Sequence, residues 1–277
     1  MRADVREAAG AHLEIVETQA MARSTVIMGR SLAKVASAIL IVLVWWLLAL
    51  TLSPDVLPGP LPTFRVFWNN LITGQLHTHF FATMIRVGLG FLFAMLLGIL
   101  AGTIMGLYQR VELVADLWVM VALTIPGLCY TFLSFMWFGL NEAAAIIAIS
   151  ITVFPSITIN MWEGVKDIDS RLIDMSKTFQ ASPLRRFFQV IIPQILPYIL
   201  AASRFGLGLI WKVTVLIELI GMGDGVGYML NFWFQVYDMR QVLAWTLFFT
   251  IIMLVIELGI LKQVENRIFA WRPRIKV

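Results

Sequence analysis

Apolar residues gather into six long runs, at 35–52, 80–107, 113–136, 143–162, 197–220 and 242–261, with short polar stretches between them. Each approaches or exceeds the about 20 residues that cross a hydrocarbon core as a helix. The pattern predicts an all-α, polytopic membrane protein with six transmembrane helices. Pro126 and Gly127 interrupt the third run, so a kink or break is expected there. It is tolerable only where neighbouring helices or a polar cavity satisfy the freed backbone groups. Outside the runs lie a tail at 1–34, a polar connection at 163–193 and a tail at 264–277.

Composition agrees. Of 277 residues, 60% are hydrophobic and 14% charged, and the mean hydropathy is +0.85, whereas soluble domains run about 45–50% apolar and about 25% charged. A water-soluble globular enzyme is excluded. The net charge of +4 sits on a chain too apolar to present a nucleic-acid surface. Cys129 is the single cysteine, which excludes an intramolecular disulfide and a Cys-rich metal site.

Basic residues set the orientation, because cytoplasmic loops collect them. The N-terminal tail carries Arg2, Arg6, Arg23, Arg30 and Lys34, and the loop after the second run carries Arg110. The 163–193 connection carries Lys166, Arg171, Lys177, Arg185 and Arg186, and the C-terminal tail carries Lys262, Arg267, Arg272, Arg274 and Lys276. The opposite loops hold Arg65 and Arg240. Both termini are therefore expected in the cytoplasm. The first run begins after a tail of mixed charge with no clear small-residue cleavage site, so it reads as a retained span. Residues 5–21 could form an interfacial helix or a disordered tail.

Three basic residues, Arg86, Arg204 and Lys212, fall inside the runs together with Asp116, Glu218 and Glu257. A charge at the bilayer centre costs about 2.5–3.5 kcal/mol even on the lenient insertion scale, so such residues face a cavity or a partner. Arg204, Trp211 and Glu218 are spaced by seven, which at about 100° per residue returns each to nearly the same helix face, with Lys212 about 80° round from Arg204. The stripe reads either as part of a translocation pathway or as structural pairing, with Lys212 snorkelling and Glu218 near the outer interface. Arg86, near the outer end of its span, is expected to snorkel, and Lys262 to answer Glu257. Gly98, Gly102 and Gly106 stand four apart and form a ridge that lets a neighbouring helix approach closely. Trp45, Trp46 and Trp271 read as interface anchors.

Other chemistry is thin. His77 and His79 flank Thr78 without a third ligand, and read as solvated. Each of Lys34, Lys166, Lys177, Lys212, Lys262 and Lys276 follows a residue other than glycine, so the phosphate-cradling loop of an ATPase is missing. The alternating Gly221, Gly223, Gly225 and Gly227 fail the dinucleotide fingerprint and read as a flexible outer loop. No metal or cofactor is expected in this chain.

The 163–193 connection is charged yet helix-patterned. Leu172, Ile173, Met175, Ser176 and Phe179 offer a short amphipathic helix. Ala181 and Ser182 end it, and Ser182-Pro183 is an N-cap and first-turn signature for a second helix. A solvated loop with capping would explain this much. The stretch Asp174-Met175-Ser176-Lys177-Thr178-Phe179-Gln180-Ala181-Ser182, with Val190-Ile191-Ile192-Pro193 and Leu196-Pro197 after it, also resembles the cytoplasmic EAA loop of bacterial ABC importer permeases. In that family this helix docks on the ATPase subunit. Asp174 stands for the family's Glu, Met175 and Ser176 for its two Ala, and Gln180 for its Gly. At a helix end with positive φ, a side chain in place of glycine costs roughly 1 kcal/mol.

The resemblance runs from about residue 80 to the sixth run and is closest to the nitrate, sulfonate and taurine importer branch. Trp137-Phe138-Gly139-Leu140-Asn141-Glu142 is similar to that branch's turn after the third span. Arg204-Phe205-Gly206-Leu207-Gly208-Leu209-Ile210-Trp211 with Glu218 resembles its fifth span, and Gly225-Val226-Gly227-Tyr228 its outer loop. Lys212 departs from it, since the branch carries a small or apolar residue after the Trp.

The resemblance implies a type I importer permease core over 78–263 plus an extra N-terminal span in the bacterial inner membrane. It also implies a non-enzymatic subunit that works as two copies with two ATPase subunits, which hold ATP and Mg, and an outer solute-binding protein. Residues 163–193 would be the coupling segment. The basic residues within the spans, Arg204 and Lys212 near the middle of the fifth, favour a small anionic solute. A secondary transporter or channel not coupled to an ATPase is the alternative, against which stand the missing inverted repeat and the charged helix-turn-helix loop.

Overall fold

The computed structural model describes residues 33, 35–261, 263 and 267, so most of the two tails, including 5–21, lies outside the described residues. The chain divides into two units, one ending at Phe64 and one beginning at Arg65. In the first, α1 (Val35–Thr51) is apolar on all sides. Ser53 ends the turn after it by accepting backbone bonds from Val56 and Leu57, both at 3.0 Å. The Trp45 indole donates to the Pro58 carbonyl at 3.1 Å, so this side chain fixes a turn, while Trp46 is exposed. Pro60 then opens α2 (Pro60–Ile72), where its missing N–H costs nothing.

The second unit is built on three long helices, α3 (Gln75–Leu107), α6 (Glu142–Lys166) and α9 (Ile192–Gly221). The buried face of α3 carries Val87, Gly90, Ala94, Gly98, Gly102 and Met105 at three- and four-residue steps, a ridge longer than the one expected from Gly98 to Gly106. It lies against α6 so closely that a Cβ on Gly98 would sit 2.6 Å from the Ile157 Cγ2, and one on Gly102 would sit 2.5 Å from the Thr158 carbonyl oxygen. Small residues are what lets these backbones meet. Asn141 caps α6, accepting from the Ala144 N–H at 2.9 Å. Ala145, Ala148, Ile149, Val153 and Ile157 of α6 form the centre of the core with Ala202, Ile210 and Ile217 of α9.

The third run is not one helix. α4 (Gln109–Thr124) and α5 (Gly127–Phe138) meet at 93°. The cause is local: Ile125 is extended, as the ring of a following proline requires. Pro126 also has no N–H to give the Ala122 carbonyl, and the Tyr130 hydroxyl supplies that bond instead at 3.0 Å.

Beyond α6 come α7 (Ser170–Thr178) and α8 (Pro183–Arg186), and then a π-helical stretch (Phe187–Ile191) that leads into α9. The wider turn precedes Pro193, which offers no N–H to the carbonyl four residues back. After α9, α10 (Val226–Gln235) and α11 (Met239–Val255) close the unit, and a second π-helical stretch (Ile256–Leu261) comes after them. Asp238 caps α11 by accepting from Arg240 and Gln241. Leu76, Val226, Met229, Trp245 and Phe248 form a smaller core at that end. Strands are absent among the described residues. By length and apolarity three helical stretches can each cross a membrane, the bent α4–α5 pair makes a fourth if the two form one span, and α1 and α11 are shorter apolar helices.

Candidate functional site

Arg86 is buried to 1% exposure rather than snorkelling, and carboxylates from three other elements converge on it. Nε donates to Glu142 at 2.8 Å, Nη1 donates to Glu218 at 2.8 Å and to the Asp224 carbonyl at 3.0 Å, and Nη2 donates to Glu142 and to the Asp224 carboxylate. All the guanidinium donors are engaged. Glu218 is fully buried, whereas Glu142 and Asp224 are 58% and 50% exposed. A buried charge is stable only when it is paired and its remaining lone pairs are filled. The second oxygen of Glu218 accordingly accepts from the Thr83 hydroxyl and from the Gly227 N–H, each at 2.9 Å.

The glycine-rich segment after α9 is therefore a clasp around Glu218 rather than a loose loop. Gly225 has φ +106°, and a Cβ there would fall on the Glu218 carboxyl group. Its N–H donates to His79 Nδ1 at 3.1 Å, and the Val226 N–H donates to Thr83 at 2.9 Å. His79 is half-buried rather than freely solvated: its ring stacks on Tyr228 and meets the edge of Trp245, while His77 is exposed. The arrangement pins one end of α3, α6 and α9 together. Arg86, Glu218, Glu142 and Gly225 are each visible in the sequence. Their convergence is not, although an intramembrane arginine and an intramembrane glutamate are each other's most economical partner.

The Arg204, Trp211 and Glu218 stripe is not a continuous lining. Seven residues return to nearly the same azimuth but also climb about 10.5 Å, and the neighbours change over that distance. Arg204 is exposed and lies 3.7 Å from Glu257, the residue expected to meet Lys262, which is outside the described residues. Trp211 is buried against Phe249, and Glu218 belongs to the Arg86 cluster. Lys212 is exposed on α9.

At the other end, α7 and α8 form the expected helix-turn-helix. Asp169 caps α7, accepting from Arg171 at 2.8 Å. α7 ends with Gln180 at φ +56°, in the position the resemblance gives to glycine. Two bonds close that end: the Gln180 N–H donates to the Lys177 carbonyl at 2.8 Å and the Ala181 N–H to the Ser176 carbonyl at 3.0 Å, the pair that defines a Schellman ending. Ser182 caps α8 by accepting from Arg185 at 3.3 Å. Arg186 reaches back across the turn, donating from Nε to Ser176 at 3.1 Å and from Nη2 to the Ala181 carbonyl at 3.3 Å. Gln194 of α9 accepts from the Asp169 N–H at 2.8 Å.

The two short helices are thus one braced block. Leu172, Met175 and Phe179, one above another at helical spacing, are all exposed, Phe179 to 78%. Asp174 and Lys177 pair with each other at 2.8 Å on the surface, and Thr178 bonds back to the Asp174 carbonyl.

Close-packed helices long and apolar enough to cross a membrane, tied at one end by a buried ion cluster and joined by a polar helix-turn-helix with an exposed apolar face, are the build of a polytopic membrane protein. Residues 94–264 match the family described as binding-protein-dependent transport system inner membrane component, and the chain belongs to that family. A Bacillus subtilis chain named as an aliphatic sulfonates transport permease, SsuC, is 30% identical over 220 residues, covering 79% of each chain. The Escherichia coli taurine transport system permease TauC is 30% identical over 240 residues, covering 84% of this chain and 87% of that one. In fold, a chain of the MetNI methionine ABC transporter in an inward-facing conformation superposes with a TM-score of 0.60 at 16% identity, over 71% of this chain and 97% of that chain. The protein is a permease subunit of an ABC importer.

Proposed function

We propose that the permease carries a small anion, of the sulfonate or taurine kind named for its relatives, delivered by a solute-binding protein. In this reading two copies of the chain form the pathway. The six apolar runs all span, with 1–34 and 264–277 in the cytoplasm, and two ATPase subunits hydrolyse ATP with Mg. The α7–α8 block over Asp174 to Ser182 is the coupling element that docks on an ATPase and moves as a rigid body with the base of α9. The observation that carries it is the row Leu172, Met175 and Phe179, left bare on a block braced internally by Arg186 and tied to α9 by Gln194. An exposed apolar row on such a block is the signature of a partner surface.

The anion reading rests on charge pairing. Of the three cations in the spans, Arg86 is answered by Glu218 and Arg204 lies beside Glu257. The exposed Lys212 has no acidic partner among the described residues. A cation facing a low-dielectric passage lowers the barrier for an anion.

Replacing Asp174 and Lys177 together with alanine tests the coupling. That pair is exposed and contributes at most about 1 kcal/mol to folding, so the chain stays folded while its docking surface changes. In vesicles reconstituted with the ATPase and loaded binding protein, stimulated ATP hydrolysis and uptake are expected to separate. Unchanged stimulation and uptake in this variant and in Phe179→Ser remove the segment from the mechanism.

A further inference from the structure

We propose that the groove between α3, α4 and α6 holds one acyl chain of an anionic phospholipid whose phosphate rests on Arg110. The groove has a volume of about 640 Å3, with walls from Ile104 of α3, Val114 and Trp118 of α4 and Phe154 of α6. Arg110 is the one charged side chain in that lining among the described residues. It stands in the first turn of α4, at one end of the trough. From Arg110 to Ala122, the α4 wall extends about 18 Å at 1.5 Å per residue. Half of a hydrocarbon core is about 15 Å. A cation at the head of an apolar channel one leaflet long matches a lipid with an anionic head group.

The charge is available for such a ligand. Glu112, the nearest acid in sequence, is taken by Lys166 at 2.7 Å, and Lys166 also lies over the Trp162 ring. Arg110 has no carboxylate partner among the described residues, and its planar donors suit a phosphate. Protein occupants fit less well. Residues 35–51 of α1 contain no acidic side chain, so laying α1 of either copy in the groove would leave Arg110 without a counter-charge. Basic pockets between membrane helices bind anionic head groups for this reason. The site is separate from the coupling block and from Lys212, so it stands whether or not the transported solute is an anion.

Native mass spectrometry of the full chain in mild detergent, with dioleoyl phosphatidylglycerol or dioleoyl phosphatidylcholine added, tests the site. The expected result is about fivefold greater retention of the anionic lipid, the equivalent of the roughly 1 kcal/mol that one basic residue contributes at an anionic membrane surface. Arg110→Gln should bring phosphatidylglycerol down to the phosphatidylcholine level, and Ala115→Phe should reduce both by filling the trough. Where Ala115→Phe does not fold, Ala115→Leu takes its place. Equal retention of the two lipids, or unchanged phosphatidylglycerol retention in Arg110→Gln, overturns the proposal. So does an efficient disulfide from Val114→Cys, in a Cys129→Ser background, to a cysteine placed in α1 or to its counterpart in a second copy, because protein would then occupy the groove.

Discussion

Glu218 gives the sharpest test of the fold's central electrostatic feature. Truncation to alanine removes the fully buried partner of an arginine that is itself 1% exposed, and breaking a buried pair from one side costs about 3–5 kcal/mol. Arg86 keeps the half-exposed Glu142 and Asp224, which pulls the figure to the lower end. Against that, the Gly227 N–H loses its acceptor, and an unsatisfied buried donor costs about 1–3 kcal/mol. A net loss of about 4 kcal/mol is expected for Glu218→Ala. Glu218→Gln keeps an oxygen for Gly227 and falls in between. Glu142→Gln changes an exposed carboxylate and costs no more than about 1 kcal/mol. Adding Arg86→Met to Glu218→Ala should recover part of the loss, since the buried charge then goes too, and the double-mutant cycle should give an interaction of at least about 2 kcal/mol. The assay is reversible unfolding in mixed micelles by detergent titration. If Glu218→Ala and Glu142→Gln agree within about 1 kcal/mol, burial does not govern this cluster and the reasoning fails.

Geometry dictates three further outcomes. Gln180→Gly relieves a side chain at φ +56° and should stabilise the end of α7 by roughly 1 kcal/mol, read as slower amide exchange at Gln180 and Ala181; faster exchange would contradict it. Gly102→Leu drives a side chain into the α6 backbone and should cost at least about 3 kcal/mol, lowering the yield of monodisperse chain, while Gly88→Ala, with nothing within 4 Å, leaves the yield unchanged. Lys212→Met should slow anion uptake without preventing assembly, and Lys212→Arg should retain part of it; a Met variant that fails to assemble would make Lys212 structural.

The long helices were legible because length and apolarity are properties of consecutive residues, and the 93° break because Pro126 acts on its own neighbours. The α7–α8 turn was legible for the same reason: Ser182 and Pro183 start the helix directly after them, and Gln180 sits where the backbone must turn over. Two elements escaped. α2 and α10 are 13 and 10 residues long, too short to register as spans, and their helical spacing, as in Phe64, Phe67, Trp68 and Leu71, is hidden by proline- or glycine-rich flanks. His79 also escaped, since a histidine in an outer segment looks solvated until the partners arriving from Tyr228, Gly225 and Trp245 are known.

Charge pairing was the least legible feature. Arg86 meets Glu218 and Asp224 across separations of 132 and 138 residues, and no local pattern encodes that. Counting charges in the spans gives three cations against three acids, Asp116, Glu218 and Glu257, and the count alone says nothing of which meet. The structure supplies that: Arg86 and Glu218 neutralise each other inside the protein, Arg204 has Glu257 nearby, and Lys212 has no acidic partner among the described residues. An exposed ammonium at the bilayer centre costs about 2.5–3.5 kcal/mol on the insertion scale, so under the proposed function this face of α9 looks onto water or a second chain. In the proposed reading, the residue that departs from the sulfonate and taurine branch is the cation a translocated anion would meet, and uptake by Lys212→Met is the measurement that decides it.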